Sequence, residues 1–294
     1  MNNMPELWKY MDAFDLPEGF SESKLSGTRF FKHLDHVPRI PLLYDPGVSI
    51  VLQGRKIGYL GDQAFQYDAN NYLVVSVSMP FECETFATPE APLLGLYIDV
   101  DMPVVRELVA DMDQPVPDTP VDTLPKGIGP APMDNRMTEV VGRLLQTLGS
   151  DTETRILGPA LVREIFYRVL CGGQGPVLWS LAAYNGSFAR IAEVLKMIQT
   201  DYARKLDVET MAGMVNMSVS AFHRVFKEIT AESPMQYLKK IRLTRARAFL
   251  MEEDMKAYIA ADRVGYESAS QFSREFKRYF GQSPADLLRD MRAA

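Results

Sequence analysis

Side chains that form directional hydrogen bonds recur in the C-terminal part of this sequence at a separation of 50 residues. Arginine can form two parallel hydrogen bonds with the edge of guanine, and glutamine can do so with adenine. Serine can bond either to a base or to a phosphate oxygen. These residue types are therefore suited to reading base edges. The polar positions are Ser220, His223 and Arg224 in the first copy, and Ser270, Gln271 and Arg274 in the second.

The repeat extends to apolar and helix-starting positions. Eight of the 17 positions from residue 218 to 234 are identical 50 residues later, whereas unrelated segments would share roughly one. An internal duplication explains this similarity. The identical pairs are Ser218/Ser268, Ser220/Ser270, Phe222/Phe272, Arg224/Arg274, Phe226/Phe276, Lys227/Lys277, Ser233/Ser283 and Pro234/Pro284.

The spacing predicts that each copy is a helix with one buried stripe. Two phenylalanines stand four apart in each copy, so they share a face, and the polar residues lie opposite. Ser218 and Ser268 stand where N-caps belong, and Gln271 would complete a capping box in the second copy. The duplicated phenylalanines are Phe222 with Phe226, and Phe272 with Phe276.

A shorter helix is predicted before each copy, over about 208–215 and 256–264. Asn216 and Gly265 follow these helices, and both residue types tolerate the left-handed backbone of a tight turn. Helix, turn and polar-faced helix is the helix-turn-helix pattern, whose second helix enters the major groove of DNA. The predicted inward residues are Met211, Ala212 and Val215 in the first helix, and Ile259, Ala260 and Val264 in the second.

The alternative is two amphipathic helical hairpins whose charges only face solvent. Packing alone does not require Arg224 and Arg274 to stay in register, so their retention favours DNA binding. A long helix is predicted between the units, from the N-cap Ser233 to an acidic stop at 252–254. Its roughly 18 residues would span about 27 Å, less than the ~34 Å between successive major-groove faces. The DNA would then bend, or only one unit would insert fully.

Two segments carry a family resemblance, namely residues 217–227 (MSVSAFHRVFK) and 264–281 (VGYESASQFSREFKRYFG) with the following Ser283-Pro284. They resemble the DNA-binding signatures of AraC/XylS-type transcription regulators, and the resemblance covers about 187–292. One departure is Ala231, where the family usually has glycine, and it concerns a turn rather than base reading. The resemblance implies DNA contacts from Ser220, His223, Arg224, Lys227, Ala269, Ser270, Gln271, Arg274 and Arg278.

His223 could instead be an exposed histidine without a role. Other basic residues on these elements could contact phosphates or serve only solubility, namely Lys239, Lys240, Arg242, Arg245 and Lys277. The chain has a net charge of −6. After residue 195 there are 17 Lys and Arg against 13 Asp and Glu, a net of +4, while the preceding part carries −10. The acidity therefore belongs to the other domain, and the mild positive charge suggests that two units or two subunits act together.

The N-terminal part predicts an antiparallel β-barrel or sandwich over about 28–101, because short runs of β-branched and aromatic residues alternate with turn residues. It resembles the cupin-like sensing domain of the same regulators. Only three histidines occur in the chain, and His33 and His36 would point to opposite faces of a strand. We therefore expect no metal, no cofactor and no enzymatic activity. Six residues could line an effector pocket or simply form core: Tyr44, Phe65, Tyr67, Tyr72, Tyr97 and Cys83.

Cys83 also allows a redox or electrophile-sensing interpretation. Its neighbours Glu82 and Glu84, if close to the thiol, would raise its pKa and keep it protonated. Cys83 and Cys171 are the only cysteines. With no signal peptide and no apolar run of membrane length, they indicate a cytoplasmic protein that does not enter a membrane.

The sequence as a whole predicts a two-domain α+β protein. Residues 1–174 would form a cupin-like sensing and dimerisation domain, with a proline-rich strap over 111–133 and helices over 134–171. Residues 175–186 would be a flexible linker, and 187–294 an all-α DNA-binding domain of two helix-turn-helix units joined by a long helix. The resemblance implies a ligand-responsive regulator that binds double-stranded promoter DNA as a homodimer, with RNA polymerase as a partner if it activates. The alternative is a metal-free cupin ligand-binding protein whose helical domain makes protein contacts.

Overall fold

The computed structural model describes residues 6–112, 127–182, 186–253 and 255–293. Ten strands lie in these ranges, after a short 3-10 helix, Leu7–Ala13. The seven short runs predicted as strands within 28–101 are all present, and the structure adds three strands, Gly19–Glu22, Thr28–His33 and Ile128–Pro132. The strands are β1 Gly19–Glu22, β2 Thr28–His33, β3 Val37–Tyr44, β4 Gly47–Gln53, β5 Arg55–Leu60, β6 Gln63–Asp68, β7 Asn71–Val75, β8 Met79–Phe86, β9 Leu93–Asp99 and β10 Ile128–Pro132.

Two antiparallel sheets form the N-terminal domain. One has the strand order β1-β2-β9-β4-β7-β10 and the other β3-β8-β5-β6. Alternate residues of the larger sheet enter different cores: Val51 and Leu73 pack between the sheets, whereas Ile50 and Val74 pack on the outer face. The larger sheet is thus buried on both faces, and its strands are almost uniformly apolar.

Four helices of the N-terminal domain follow β9, with β10 between the first and the second, and they contribute to the core on the outer face of the larger sheet. They are α1 Met102–Asp111, α2 Asn135–Leu148, α3 Asp151–Cys171 and α4 Gly175–Ala182. The helices predicted over 134–171 are α2 and α3, although α3 begins earlier than expected, at the N-cap Ser150. Helix α1 was not predicted from the sequence.

The prediction of a flexible linker over 175–186 is wrong for its first part. Residues 175–182 form α4, in which Val177, Leu178 and Trp179 are buried. The apolar side chains of this segment outweigh the glycines before it, which end α3 in a short turn. Residues 183–185 lie outside the described residues.

Most of the predicted proline-rich strap, residues 113–126, also lies outside the described residues. Of the flanking parts, Asp111 is the last residue of α1, and Ile128–Pro132 pairs with β7 as the edge strand β10. An edge position suits Pro130 and Pro132, because proline cannot donate a ladder hydrogen bond.

The C-terminal part is all helical and contains two helix-turn-helix units joined by one long helix, as the sequence predicts. The joining helix, α8, has 19 residues, which corresponds to about 28 Å. The helices are α5 Ser187–Asp201, α6 Val208–Met214, α7 Val219–Thr230, α8 Pro234–Glu252, α9 Ala257–Arg263, α10 Ala269–Phe280 and α11 Pro284–Ala293.

The turns of both units follow the expected chemistry. Asn216 and Gly265 have φ values of 52° and 82°, and the hydroxyl groups of Ser218 and Ser268 accept backbone hydrogen bonds as N-caps. Two expectations fail. Ile259 is 41% exposed because the short α9 buries Ala260 and Ala261 instead. The Gln271 side chain bonds to a residue further along α10, so the capping box is not formed.

The first helix-turn-helix unit shares one hydrophobic core with the two sheets. Buried residues of β8, such as Met79, belong to the same cluster as Phe226 of α7 and Tyr237 of α8. The backbone N–H of Gly127 donates to the carbonyl oxygen of Ile229 at the end of α7, at 2.8 Å. The position of the first unit is therefore tied to the sensing domain by packing and by a backbone hydrogen bond.

Candidate functional site

The helices α7 and α10, which we call the recognition helices, are held in the same way. Ring centroids are 5.5 Å apart in the Phe222–Phe226 pair and also 5.5 Å in the Phe272–Phe276 pair, with interplanar angles of 54° and 56°. All four rings are fully buried. Because the buried faces match, the two polar faces are presented in the same orientation relative to their own units.

The polar face of α7 contains the residues that the sequence predicts. Ser220, Arg224 and Lys227 are exposed, whereas His223 is half-buried. The guanidinium of Arg224 lies 3.7 Å from the carboxylate of Glu228, one turn further along the helix. Arg224 is thus within ion-pairing distance of an acid on its own helix.

The polar face of α10 is fully exposed at its predicted positions. Its arrangement differs from α7 because Glu275 accepts a hydrogen bond from Tyr266 at 2.8 Å and a longer one from the Gln271 amide at 3.4 Å. Within the part of the chain that the structure describes, Arg274 forms no hydrogen bond or ion pair. The exposed residues are Ala269, Ser270, Gln271, Arg274 and Arg278.

Three basic residues of α8 are engaged within the domain. Lys240 pairs with Glu232, and Arg245 donates to the side chain of Gln199. Arg242 donates to the carbonyl oxygens of Tyr202 and Arg204, at 2.7 and 2.9 Å. These contacts fix α8 against its neighbours, so these side chains have a structural role that the sequence did not reveal.

A cavity of about 210 Å³ opens in the N-terminal domain beside β3, β5 and β8. Three of the six sequence candidates, Tyr44, Tyr97 and Cys83, line it. Of the other ten lining residues, five are apolar, namely Phe20, Val37, Ile40, Leu42 and Leu43, and five are polar or charged, namely Arg29, His33, Asp45, Lys56 and Thr85.

The other three candidates do not line this cavity. Tyr67 lies behind it and hydrogen-bonds to Tyr44, and Phe65 packs against Tyr67. Tyr72 belongs to the core on the opposite face of the larger sheet, where burial and the charge of Asp134 raise its pKa to about 12. Strand alternation explains the difference, because Tyr72 and Leu73 necessarily face opposite sides.

The carboxylates of the two glutamates beside Cys83 engage other residues rather than the thiol. Cys83 is buried, with its sulfur 3.3 Å from the Tyr67 hydroxyl. Glu82 pairs with Arg39, and Glu84 accepts from Tyr59 at 3.0 Å. Both carboxylates lie on the outer face of β8, because neighbours of an inward residue in a strand point outward.

Lys56 was missed by the sequence reasoning although it lines the cavity and is only 5% exposed. A signal was available, since Lys56, Gly58 and Leu60 share one face of β5 and Leu60 is an obvious core residue. The Lys56 ammonium donates to the Tyr44 hydroxyl at 2.7 Å. A buried ammonium in a cavity wall is a candidate for ligand binding.

The cavity is linked to α8 by a short chain of hydrogen bonds. Asp45, in the cavity wall, accepts from the Ser78 hydroxyl at 3.2 Å and, through its carbonyl oxygen, from Tyr97. The Ser78 carbonyl oxygen accepts from Tyr237 of α8 at 2.6 Å. A displacement of Asp45 could therefore reach the helix that joins the two recognition units.

The described ranges contain no group of three His, Cys, Asp or Glu residues arranged to hold a metal ion. No helix in the same ranges is both long enough and apolar enough to cross a membrane.

A two-sheet domain with a cavity, followed by two exposed recognition helices, defines a two-domain protein of the helix-turn-helix class. The sequence profile of the AraC-type transcriptional regulator N-terminus matches residues 24–177, and a helix-turn-helix domain profile matches 211–290. The first match covers more than half of the chain. The chain belongs to the AraC-type transcriptional regulators.

The curated relatives match about half of this chain. It is similar to the HTH-type transcriptional activator RhaS of Klebsiella pneumoniae (strain 342), with 29% identity over 143 residues, 49% of this chain and 50% of the relative. RhaS of Citrobacter koseri is 31% identical over 145 residues, again 49% and 50%. The chain thus spans about half the length of these relatives. A ligand-free ToxT from Vibrio cholerae has a similar fold, with a TM-score of 0.59 and 11% identity over 91% of this chain and 99% of that one.

Proposed function

We propose that this chain is a ligand-responsive, sequence-specific regulator of transcription that reads two adjacent major-groove segments of promoter DNA. The observation that carries the proposal is the pair of recognition helices with matching buried faces and exposed Arg224 and Arg274. Family membership supports it, and so does the similarity to the activator RhaS.

The two recognition helices would read unlike sequences. Ala221 and His223 of α7 correspond to Gln271 and Ser273 of α10. Each subunit would therefore prefer an asymmetric site. The candidate contacts remain those predicted from the sequence: Ser220, His223, Arg224, Lys227, Ala269, Ser270, Gln271, Arg274 and Arg278.

The division of labour would follow the two domains. Residues 1–174 would sense an effector in the cavity bounded by Tyr44, Tyr97 and Cys83 and would form the dimer contact, and 187–294 would bind DNA. The protein would act in the cytoplasm without catalytic activity, and RNA polymerase would be a further partner if it activates. The link from Asp45 through Ser78 to Tyr237 supports communication between the domains.

The test is selection of the purified full chain on random duplex DNA, followed by titration of the selected site by fluorescence anisotropy at several salt concentrations. We expect an asymmetric preferred site whose affinity falls in Arg224→Ala and Arg274→Ala. Arg55→Ala is the matched control, because Arg55 lies on β5 in the sensing domain, stacked on Phe86. No preference over random duplex would reject the proposal and favour a cupin-like ligand-binding protein whose helices contact proteins.

A further inference from the structure

The Lys56 ammonium occupies an unusual position for a positive charge. It lies at the inner face of β5 with 5% exposure, and its hydrogen-bond partner is the neutral hydroxyl of Tyr44. That hydroxyl lies 3.1 Å from the Tyr67 hydroxyl. Burial raises the pKa of Tyr44 and of Tyr67, so both phenols are uncharged at neutral pH.

No carboxylate of the described residues comes within 4.0 Å of the Lys56 ammonium. Arg29, also in the cavity wall, is paired with Asp99 at 2.6 Å. Burial lowers the pKa of His33, and Lys56 lowers it further, so His33 is neutral near pH 7. Burial opposes the charge on Lys56, whereas Tyr44 and Cys83 beside it raise the pKa of its ammonium overall.

A buried charge is costly unless an opposite charge and hydrogen bonds compensate it. Replacement of such a lysine by an apolar residue is often neutral or stabilising. The chain nevertheless places this ammonium in the wall of a cavity of about 210 Å³. Such a site is complementary to an anion with one negative charge.

The rest of the cavity wall indicates what the anion carries. Apolar side chains from β1 and β3, including Phe20, Val37, Ile40 and Leu42, form a large part of the wall. An inorganic anion would leave these side chains with no apolar group of the ligand to pack against. A dianionic phosphate ester would require a second cation, and Arg29 is already paired.

We propose that this cavity binds a small organic carboxylate, with one carboxylate oxygen accepting from the Lys56 ammonium and the apolar part lying against β1 and β3. The proposal rests on the proposed function, since it names the chemical class of the effector. The carboxylate would supply the counter-charge that the described residues do not.

The experiment compares carboxylates with their uncharged primary amides on the purified full chain, by thermal shift and isothermal calorimetry. The probes are butanoate, hexanoate and benzoate, each with its amide, and sodium chloride and phosphate serve as inorganic arms. We expect at least one carboxylate to bind saturably and its amide to bind roughly tenfold more weakly or worse, because a hydrogen bond to a charged group is lost. Equal binding of acid and amide, binding of phosphate alone, or no binding by any acid would overturn the proposal.

Two variants sharpen the test. Lys56→Met should abolish the preference for acid over amide and leave the ligand-free melting temperature unchanged or higher. A retained preference for acid over amide, or a marked loss of ligand-free stability, would show that Lys56 serves the fold rather than a ligand.

Ile40→Phe narrows the part of the cavity lined by β3. It should therefore shift the preference towards the shorter acid, while Lys56 still binds the carboxylate. DNA affinity is measured on the same samples: normal DNA binding without acid binding rejects only the effector class, whereas loss of DNA selectivity in the wild type rejects the proposed function.

Discussion

The Tyr237 hydroxyl donates a hydrogen bond to the carbonyl oxygen of Ser78, at 2.6 Å, and thereby joins α8 to the sensing domain. Tyr237 is completely buried and also accepts from the Gln199 amide at 3.1 Å. Ser78 in turn donates to Asp45 in the cavity wall. The helix that sets the spacing of the two recognition units is thus bonded to a residue one step from the cavity.

Tyr237→Phe removes both hydrogen bonds of this phenol but keeps its ring. We expect the free energy of unfolding to fall by about 1–2 kcal/mol, because the Ser78 and Gln199 groups lose a buried partner. The change in DNA affinity that effector binding causes should become smaller. The DNA affinity of the ligand-free protein should be affected less. Urea denaturation and anisotropy titrations with and without hexanoate measure the two effects.

Tyr59→Phe is the matched control, because the Tyr59 hydroxyl bonds to Glu84 on the outer face of β8 and not to Ser78. It should leave the effector dependence unchanged. If Tyr237→Phe preserved the full dependence, the Tyr237–Ser78 contact would not be part of the communication between domains.

Arg224 must exchange its helix partner Glu228 for DNA if it reads a base. Glu228→Gln weakens this competition and removes a negative charge near the phosphates, so we expect a modest rise in DNA affinity. Arg224→Ala and Arg274→Ala should each cost roughly 1–3 kcal/mol and relax specificity at one base position. Lys227→Ala should instead weaken binding to all sequences alike. It should also lower the magnitude of the slope of log affinity against log salt concentration by about 1, the amount expected for one lost phosphate contact.

These outcomes are separable by measuring affinity for the selected site and for its single-base variants over a range of salt. If Arg224→Ala and Arg274→Ala relaxed the specificity at the same base pair, the two recognition helices would not read separate positions. A loss of affinity in Glu228→Gln would show that Glu228 positions Arg224 rather than competing with DNA.

The helix-turn-helix units could be predicted from the sequence because their determinants are local. Caps such as Ser218, the left-handed turn at Asn216 and the i, i+4 phenylalanines all act within a few residues. The cavity could not be predicted in the same way. Lys56 meets Tyr44 only because β8 lies between β3 and β5 in the smaller sheet, and that order depends on long-range pairing.

Helices α1 and α4 were not predicted from the sequence, for two different reasons. The start of α1 had a readable signal, since Asp101 is its N-cap and Pro103 stands in its first turn. The start of α4 was hidden by the glycines before it, and its stability comes from burial of Trp179 in the core that α1, α2 and α3 form with the outer face of the larger sheet. Tertiary packing, rather than local composition, determines the helical conformation of that segment.

Ala231 adopts a left-handed conformation, with φ at 61°, at the same position where the second unit has Gly281 at 79°. A non-glycine residue there is strained by roughly 1–2 kcal/mol. Ala231→Gly should therefore stabilise the chain, although by only about 0.5 kcal/mol, since glycine also gains freedom in the unfolded state. The Ala231 methyl lies near the turn at Gly61, where an added Cβ would stand 3.7 Å from it, and loss of the methyl from this position reduces the gain.

Gly281→Ala is the reciprocal change and should destabilise by about 1 kcal/mol. A methyl group there would meet nothing within 4 Å, so its effect comes from the backbone alone. Denaturant unfolding of the two variants should give shifts of opposite sign. Shifts of the same sign would contradict the backbone explanation.

Gly265 sets the position of the second unit against the turn that follows α5. Its φ of 82° requires glycine, and an added methyl would lie 2.3 Å from the carbonyl oxygen of Ala203. Gly265→Ala should therefore destabilise by roughly 2–4 kcal/mol, from backbone strain and overpacking together. Because backbone atoms cannot yield as a flexible side chain can, relief requires α9 and α10 to move away from the turn at Ala203. DNA recognition through Arg274 should then fail before recognition through Arg224. Selectivity at the base positions assigned to each arginine tests this order, and Gly213→Ala, where a methyl meets nothing within 4 Å, is the control that should leave both intact.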